Sequence, residues 1–276
     1  MMKLGAATSV FVNYFIPEII PIISKAGFDG IDIWGGRPHI YRNDYDLKEL
    51  QTIKERLEEN NLKVSSFMPA FYRYPHSLSN PNPIIRKDSI DYMCICADNA
   101  AILGAELLLV VPSRSVYGQK QEEAFNLILD SINTVCEYCE QYDFKLGIEP
   151  ANKAVTDLVI THKDALKVIR QINHPSLGVV LDTGHMYLNR ENLVEVIGAL
   201  GSLLLQFHVN DNDGKQQQNL IPGDGSFDFS SFIKDLSEAE YDDFLSVELG
   251  WHYTLDPITA IQESHDRIRK IIERKP

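Results

Sequence analysis

The sequence predicts a single α/β domain, residues 1–276, folded as a closed (β/α)8 TIM barrel. Short apolar runs alternate eight times with longer segments of helical periodicity. The length of 276 residues suits one barrel of this kind, and no Pro-, Gly- or Ser-rich linker divides the chain. A G-x-G-x-x-G run does not follow the first strand, which disfavours a Rossmann-type sheet.

The strands are predicted from runs that are short, continuously apolar and often β-branched, as expected for parallel strands buried on both faces. Eight strand–helix repeats in a chain of this length favour closure into a barrel. In chain order the runs lie near Lys3–Thr8, Gly30–Trp34, Lys63–Phe67, Glu106–Val111, Lys145–Glu149, Gly178–Asp182, Leu203–Asn210 and Phe244–Glu248.

Between these runs, apolar residues recur at helical spacing, and several segments carry start signals. Thr161 followed by Asp164 is close to a capping box, and Pro17 and Pro257 suit first-turn positions. The predicted helices lie near Pro17–Ala26, Asp46–Asn60, Pro83–Leu103, Gln121–Tyr142, Thr161–Ile172, Arg190–Leu200, Asp228–Ala239 and Pro257–Arg274.

Composition narrows the classes of function. The chain has 39 acidic and 26 basic residues, a formal net charge of −13, which disfavours nucleic acid as a partner. No stretch approaches 18 uninterrupted apolar residues, so we expect no membrane span and a cytoplasmic location. Four cysteines are expected to be reduced thiols, with a redox role for the CxxC pair as the alternative: Cys94, Cys96, Cys136 and Cys139.

Four consecutive predicted strands end in potential metal ligands: Glu149, Asp182, His208 and Glu248. Neighbouring strands lie about 4.8 Å apart, and active sites of such barrels lie at the carboxyl ends of the strands. Three carboxylates in one pocket would repel each other, and a divalent cation removes that repulsion. We expect one divalent metal ion, with Mn²⁺ favoured and Co²⁺ or Zn²⁺ as alternatives. Separate salt bridges to loop Lys and Arg residues are the competing interpretation.

Several runs carry a resemblance to a known family. They are Ile148-Glu149-Pro150, Leu181-Asp182-Thr183-Gly184-His185, His208-Val209-Asn210-Asp211 and Val247-Glu248-Leu249. With them the chain resembles the xylose-isomerase-like TIM-barrel sugar isomerases and epimerases, and within these the ketose 3-epimerases. The run from Gly30 to His39, Asp213-Gly214 and the run from Ile221 to Gly225 are most similar to fructoselysine 3-epimerases.

The resemblance implies roles for individual residues. It assigns the four strand-end residues to one metal ion, makes Glu149 and Glu248 the acid/base pair as well, and brings His185 to the substrate oxygen beside the reacting carbon. The ketohexose epimerases have an arginine six residues after the histidine ligand, where this chain has Gly214 followed by Lys215. Either Lys215 replaces that arginine or the substrate is held differently.

We therefore expect a metal-dependent epimerase or isomerase of a ketose or ketose derivative, with a fructoselysine-like substrate as the leading specific hypothesis. Inversion at C3 would pass through an enediolate, with Glu149 and Glu248 on opposite faces of the sugar. A sugar-acid or inosose dehydratase is the main alternative. An abasic-site endonuclease is disfavoured because the third and fourth strands end without histidine, and non-enzymatic sugar binding is a further alternative.

Other residues receive weaker assignments. Trp34 is expected to form an apolar wall of the site, with Arg37 or His39 reaching a polar or anionic substrate tail, and Asp211 or Asp213 to be a partner of His208. Phe67, Tyr72 and Trp251 are interpreted as aromatic residues of the barrel rim, and His76, His162, His174 and His265 as solvated. The expected partner is a small-molecule sugar, without nucleic acid or membrane, and a homo-oligomer is compatible with this type of barrel.

Overall fold

Eight parallel strands form a closed barrel in the order β1 to β8, which confirms the predicted fold class. A computed structural model describes residues 2–71 and 75–274. Each strand pairs with its neighbours in the sequence, and β1 closes the barrel against β8. The strands are β1 Lys3–Ala7, β2 Gly30–Trp34, β3 Lys63–Met68, β4 Leu107–Val110, β5 Lys145–Ile148, β6 Leu177–Asp182, β7 Leu204–Val209 and β8 Phe244–Val247.

The helices surround the barrel, and most begin at the signals that the sequence carries. Asp46 caps α2 and forms a reciprocal capping box with Glu49. At α5 the Asp164 carboxylate accepts the N–H and the hydroxyl of the N-cap residue Thr161. The helices in the described part of the chain are α1 Ile16–Lys25, α2 Leu47–Glu59, α3 Pro83–Leu103, α4 Gln121–Cys139, α5 His162–Ile172, α6 Thr183–Asn189, α7 Leu193–Leu200, α8 Phe229–Glu238 and α9 Pro257–Glu273.

The helix α6 is absent from the sequence prediction. It begins directly after β6, where Asp182 is both the last strand residue and the N-cap, with its Oδ1 accepting the His185 N–H at 2.7 Å. It ends at Asn189, and its C-cap Arg190 adopts a positive φ of 58°. The predicted helix near Arg190–Leu200 therefore begins later, as α7 at Leu193.

The barrel interior has an apolar side and a polar side. Met68, Leu107, Leu109 and Val180 pack together around the strands β3 to β6. On the other side Gln206 of β7 donates to both oxygens of Asp32 of β2, at 3.1 and 2.9 Å. Since β2 and β7 are not neighbours, this contact crosses the interior beneath the mouth. No helix in the described ranges has the length and apolar character that crossing a bilayer demands.

Candidate active site

Strand register brings the four predicted strand-end residues to one half of the mouth, formed by β5 to β8. Asp182 of β6 pairs directly with His208 of β7. Glu149 and Glu248 stand just beyond β5 and β8, and their N–H groups still bond to Val110 and Val209 carbonyls, each at 3.1 Å. The hydrogen bonds between strands therefore fix the Cα positions of all four residues.

The functional atoms of these side chains converge. Glu149, Asp182, His208 and Glu248 each offer one ligand atom, and these atoms lie within 4.8 Å of one another. His208 Nδ1 lies 2.6 Å from Glu149 Oε1 and 3.6 Å from Glu248 Oε2. Glu149, Asp182 and His208 are buried, whereas the Glu248 side chain keeps 23% of its surface exposed. The three carboxylates and the imidazole therefore form one candidate metal centre.

Burial and mutual repulsion shift the protonation of this cluster. Desolvation raises the pKa of Glu248 to about 8, helped by the Glu149 and Asp182 carboxylates and opposed by His208. Desolvation also raises the pKa of Asp182. Desolvation opposes charge on His208, but the Glu149, Glu248 and Asp32 carboxylates together outweigh it and raise the pKa of the imidazole to about 10. Desolvation likewise disfavours ionised Glu149, yet His208 holds the pKa of that carboxyl below its usual range.

Asp182 is oriented from two sides. Its Oδ1 accepts the His185 N–H, and its Oδ2 accepts the Nδ2–H of Asn210, which is fully buried. A Cβ at Gly184 would lie 2.2 Å from Asn210 Oδ1, so only glycine allows the amide to approach this closely. The Thr183 hydroxyl donates to the Asn210 carbonyl at 2.6 Å and anchors the same residue. The start of α6 thus belongs to the site.

His185 lies beside the cluster, and a chain of amide side chains holds its ring. Asn152 Nδ2 donates to His185 Nδ1 at 2.9 Å and to Gln217 Oε1 at 2.7 Å. Gln217 Nε2 donates in turn to Asn219 Oδ1, and Asn219 Nδ2 to the Glu248 carbonyl at 3.4 Å. Because Nδ1 accepts from an amide, the neutral ring carries its proton on Nε2. Sequence reasoning did not identify Asn152, Gln217 or Asn219.

The opposite nitrogen of His208 faces a residue that sequence reasoning also missed. His208 Nε2 lies 3.6 Å from Asp32 Oδ2, and both side chains are fully buried. The prediction that Asp211 or Asp213 would partner His208 is wrong. Asp211 instead accepts backbone N–H groups from Asn212, Gly223, Gly225 and Phe227 and organises the loop after β7.

A cavity of about 500 Å³ opens above the cluster. The cluster contributes Glu149 and Glu248 to it, and His185 joins them. Aromatic side chains form one wall, with Trp34 and Trp251 in edge-to-face contact at 6.3 Å. Amides from the loop after β7 form another part of the lining. The described lining residues include Trp34, Phe71, Trp251, Gln217, Gln218 and Asn219.

The predicted basic contacts lie away from the described lining. Arg37 is 67% exposed and bonds through Nη2 to Asp44 Oδ1 at 2.8 Å. Lys215 is exposed, although Gln217, Gln218 and Asn219 of the same loop do line the cavity. His39 is buried, with its ring nitrogens near Thr8 Oγ1 and the Phe11 carbonyl.

Several weaker interpretations need correction. Phe67 is fully buried rather than part of the rim, whereas Trp251 is 65% exposed and lines the cavity. Tyr72 lies outside the described residues.

The histidines interpreted as solvated are not: His76 and His162 are buried, and His174 and His265 keep only 13% and 12% of their side-chain surface exposed. His162 Nδ1 contacts Glu191 Oε1 at 2.5 Å. Burial lowers the pKa of His76 to about 4.

A closed barrel with this cluster at its mouth defines the class of protein: a TIM-barrel enzyme with a candidate metal centre. Residues 20–271 match the family described as xylose isomerase-like TIM barrel, and the chain belongs to that family. The predicted family is therefore confirmed.

Curated relatives specify the class of enzyme further. The chain is 24% identical over 271 residues to fructoselysine 3-epimerase of Escherichia coli O157:H7, covering 98% of both chains. It is 25% identical over 248 residues to ketose 3-epimerase of Arthrobacter globiformis, covering 87% of this chain and 81% of the relative. These relatives confirm the prediction of an isomerase-class enzyme.

Solved structures show the same fold. The apo 3-keto-D-glucoside 4-epimerase of E. coli superimposes with a TM-score of 0.82 at 19% identity, covering 98% of this chain and all of that one. The IOLI protein, solved with a bound zinc atom, superimposes with a TM-score of 0.83 at 21% identity, covering 99% of each chain.

Proposed function

We propose that this chain is a divalent-metal-dependent epimerase that inverts C3 of a ketose or ketose derivative. The observation that carries the proposal is the convergence of three carboxylates and one imidazole, within 4.8 Å, at the floor of a cavity. The relatives that act on ketoses and on fructoselysine support the same reaction class.

The donor set fits a divalent cation held by Glu149, Asp182, His208 and Glu248. Three oxygens and one imidazole nitrogen suit Mn²⁺, our first choice, or Co²⁺ or Zn²⁺. A cation bound there supplies electrophilic stabilisation of negative charge that develops on substrate oxygens during proton removal. The three carboxylates repel each other, and a divalent cation among them would offset that repulsion.

Two glutamates on different strands are suited to the proton transfers. Epimerisation needs one proton-transfer group on each face of the planar intermediate, and each transfer is worth roughly 10²–10⁴-fold in rate. Glu149 and Glu248 lie just beyond β5 and β8, the strands at the two ends of the arc of four ligand strands. One glutamate would remove the C3 proton, and the other would return a proton to the opposite face.

The remaining lining suits a sugar with an attached group. His185 would donate through Nε2–H to the substrate oxygen next to the reacting carbon, and Gln217 and Gln218 offer amides to hydroxyl groups. The wall of Trp34 and Trp251 would cover an apolar sugar face or the stem of an amine conjugate. A volume of about 500 Å³ leaves room beyond a hexose, so a fructoselysine-like substrate is our first choice.

The test is solvent deuterium exchange on Mn²⁺-loaded protein with ketoses, their phosphates and amine conjugates, followed by NMR. We expect an epimeric product labelled at C3, and loss of this exchange in Glu149→Gln and Glu248→Gln. Metal content is measured in parallel, with the exposed Glu238→Gln as the matched control. Variants that keep both metal and exchange would remove these glutamates from the acid/base role. Release of water with an unsaturated product would instead identify the dehydratase alternative.

We also propose that the chain forms a homo-oligomer. Phe15 and Leu255 are 61% and 94% exposed, on two loops joined by a hydrogen bond from Asn13 Nδ2 to the Thr254 carbonyl at 3.4 Å. Exposed apolar side chains grouped in this way are typical of protein contacts. Light scattering on the purified chain tests this, and a monomer at micromolar concentration would contradict it.

A further inference from the structure

Asp32 lies in the middle of the apolar strand β2, and its side chain is fully buried. Burying a charged carboxylate is costly unless other groups compensate it. Its hydrogen bonds come from the Ser65 hydroxyl and from Gln206 Nε2, both of which are neutral. Among the described residues, His208 is the group able to carry positive charge that stands within 4 Å of it.

His208 has two nitrogens in different surroundings. Nδ1 faces the Glu149 and Glu248 carboxylates, where the proposed cation would lie. Nε2 is buried, has no hydrogen-bond partner among the described residues, and lies 3.6 Å from Asp32 Oδ2. A neutral imidazole that offers its Nδ1 lone pair to a cation must carry its proton on Nε2.

We propose that Asp32 is a positioning residue for His208: its carboxylate, 3.6 Å from Nε2, attracts the proton on that nitrogen and favours the tautomer whose Nδ1 lone pair faces the other ligands. This inference rests on the proposed metal site. Carboxylate partners of metal-binding histidines orient the ring and raise its basicity. Asp32 would act through His208 and would not touch the substrate.

The surroundings of Asp32 fit this role because they hold the carboxylate still without neutralising it. Gln206 precedes His208 by two residues on β7, so it faces the same side of the strand. Its Nε2 bonds both Asp32 oxygens and the Ser246 hydroxyl, the last at 2.8 Å. The negative charge thus remains available to His208.

The experiment compares Mn²⁺ affinity of the full chain, Asp32→Asn and Ser246→Ala, by electron paramagnetic resonance of free Mn²⁺. Asp32→Asn keeps the shape and removes the charge, and we expect its Kd to rise about 10- to 100-fold. Ser246→Ala removes a neighbour in the same buried layer that does not bond Asp32, and we expect a Kd within about 3-fold of the parent. An unchanged Kd in Asp32→Asn, or an equal rise in both variants, would overturn the proposal.

A second measurement separates this inference from the proposed function. Nitrogen-15 NMR of the metal-free parent should show a His208 proton on Nε2, and this proton should exchange faster with water in Asp32→Asn. Failure of the parent to bind Mn²⁺ would refute the metal site but leave the NMR test of the pair intact. A parent spectrum without an Nε2 proton on His208 would overturn the Asp32 proposal, even if Asp32→Asn fails to fold.

Discussion

Metal binding and proton release should be coupled at the cluster, and pH is the perturbation that reveals the coupling. In the cation-free chain Glu248 holds a proton up to about pH 8 and His208 holds its second proton up to about pH 10. Both must lose these protons before they can offer lone pairs to a cation. Glu149 releases none, because its pKa is already lowered. Binding at pH 7 should therefore release one proton from Glu248 and one from His208.

The size of the effect follows from that count. Each released proton changes the apparent affinity about tenfold per pH unit. Affinity for Mn²⁺ should therefore rise about 100-fold per unit below pH 8, and about tenfold per unit between pH 8 and pH 10.

Stability of the cation-free chain should change in the opposite direction. Above the ordinary Glu value of 4.5, the folded chain keeps a proton on Glu248 that the unfolded chain has lost. His208 likewise stays charged in the folded chain above its ordinary value of 6.5. Where the folded state binds more protons, stability falls as pH rises. The contribution of Glu248 is lost as pH rises from about 4.5 through 8, and that of His208 from about 6.5 through 10.

Isothermal titration with Mn²⁺ at pH 7, in buffers of different ionisation enthalpy, measures the number of protons released. We expect at least two for the parent and one fewer for Glu248→Gln, which lacks the titrating carboxyl. A proton number near zero, or an affinity that is constant from pH 6 to pH 8, would refute the reasoning.

Three further predictions concern the surroundings of the cluster. Asn152→Ala removes the donor to His185 Nδ1, and steady-state kinetics should show kcat/KM about tenfold lower with metal content unchanged. Asp211→Ala leaves four backbone N–H groups without their acceptor, and urea unfolding should show a loss of at least about 3 kcal/mol. Trp251→Ala should raise KM while unfolding free energy changes by less than about 0.5 kcal/mol, because the side chain is 65% exposed.

Regular patterns explain why the barrel and its ligand cluster were predictable from the sequence. Parallel strands have short apolar runs, so their ends are visible, and the barrel rule places those ends together. Glu149, Asp182, His208 and Glu248 each fall at or near such an end. The helix α6 was missed because Asp182 serves as the last strand residue and the N-cap at once, which leaves no loop to mark the boundary.

Contacts across the barrel and within loops leave weaker signals. Asp32 meets His208 and Gln206 across the interior, and sequence distance says nothing about that approach. A charged residue inside a strand as apolar as Gly30–Trp34 was the available sign, because unpaired carboxylates are rarely buried. Asn152 and Gln217 are amides in loops, where polar residues are ordinary, so only the folded geometry distinguishes them.

The protonation of the cluster also favours a divalent cation over a monovalent one. Below about pH 8, protonated Glu248 and doubly protonated His208 together carry a charge of +1. Exchange of their two protons for one divalent ion leaves the total charge of the buried site unchanged. A monovalent ion in the same exchange would leave the site with one more negative charge, and extra buried charge is costly. The protonation of the cluster therefore favours divalent over monovalent cations. The choice among Mn²⁺, Co²⁺ and Zn²⁺ depends on ligand geometry.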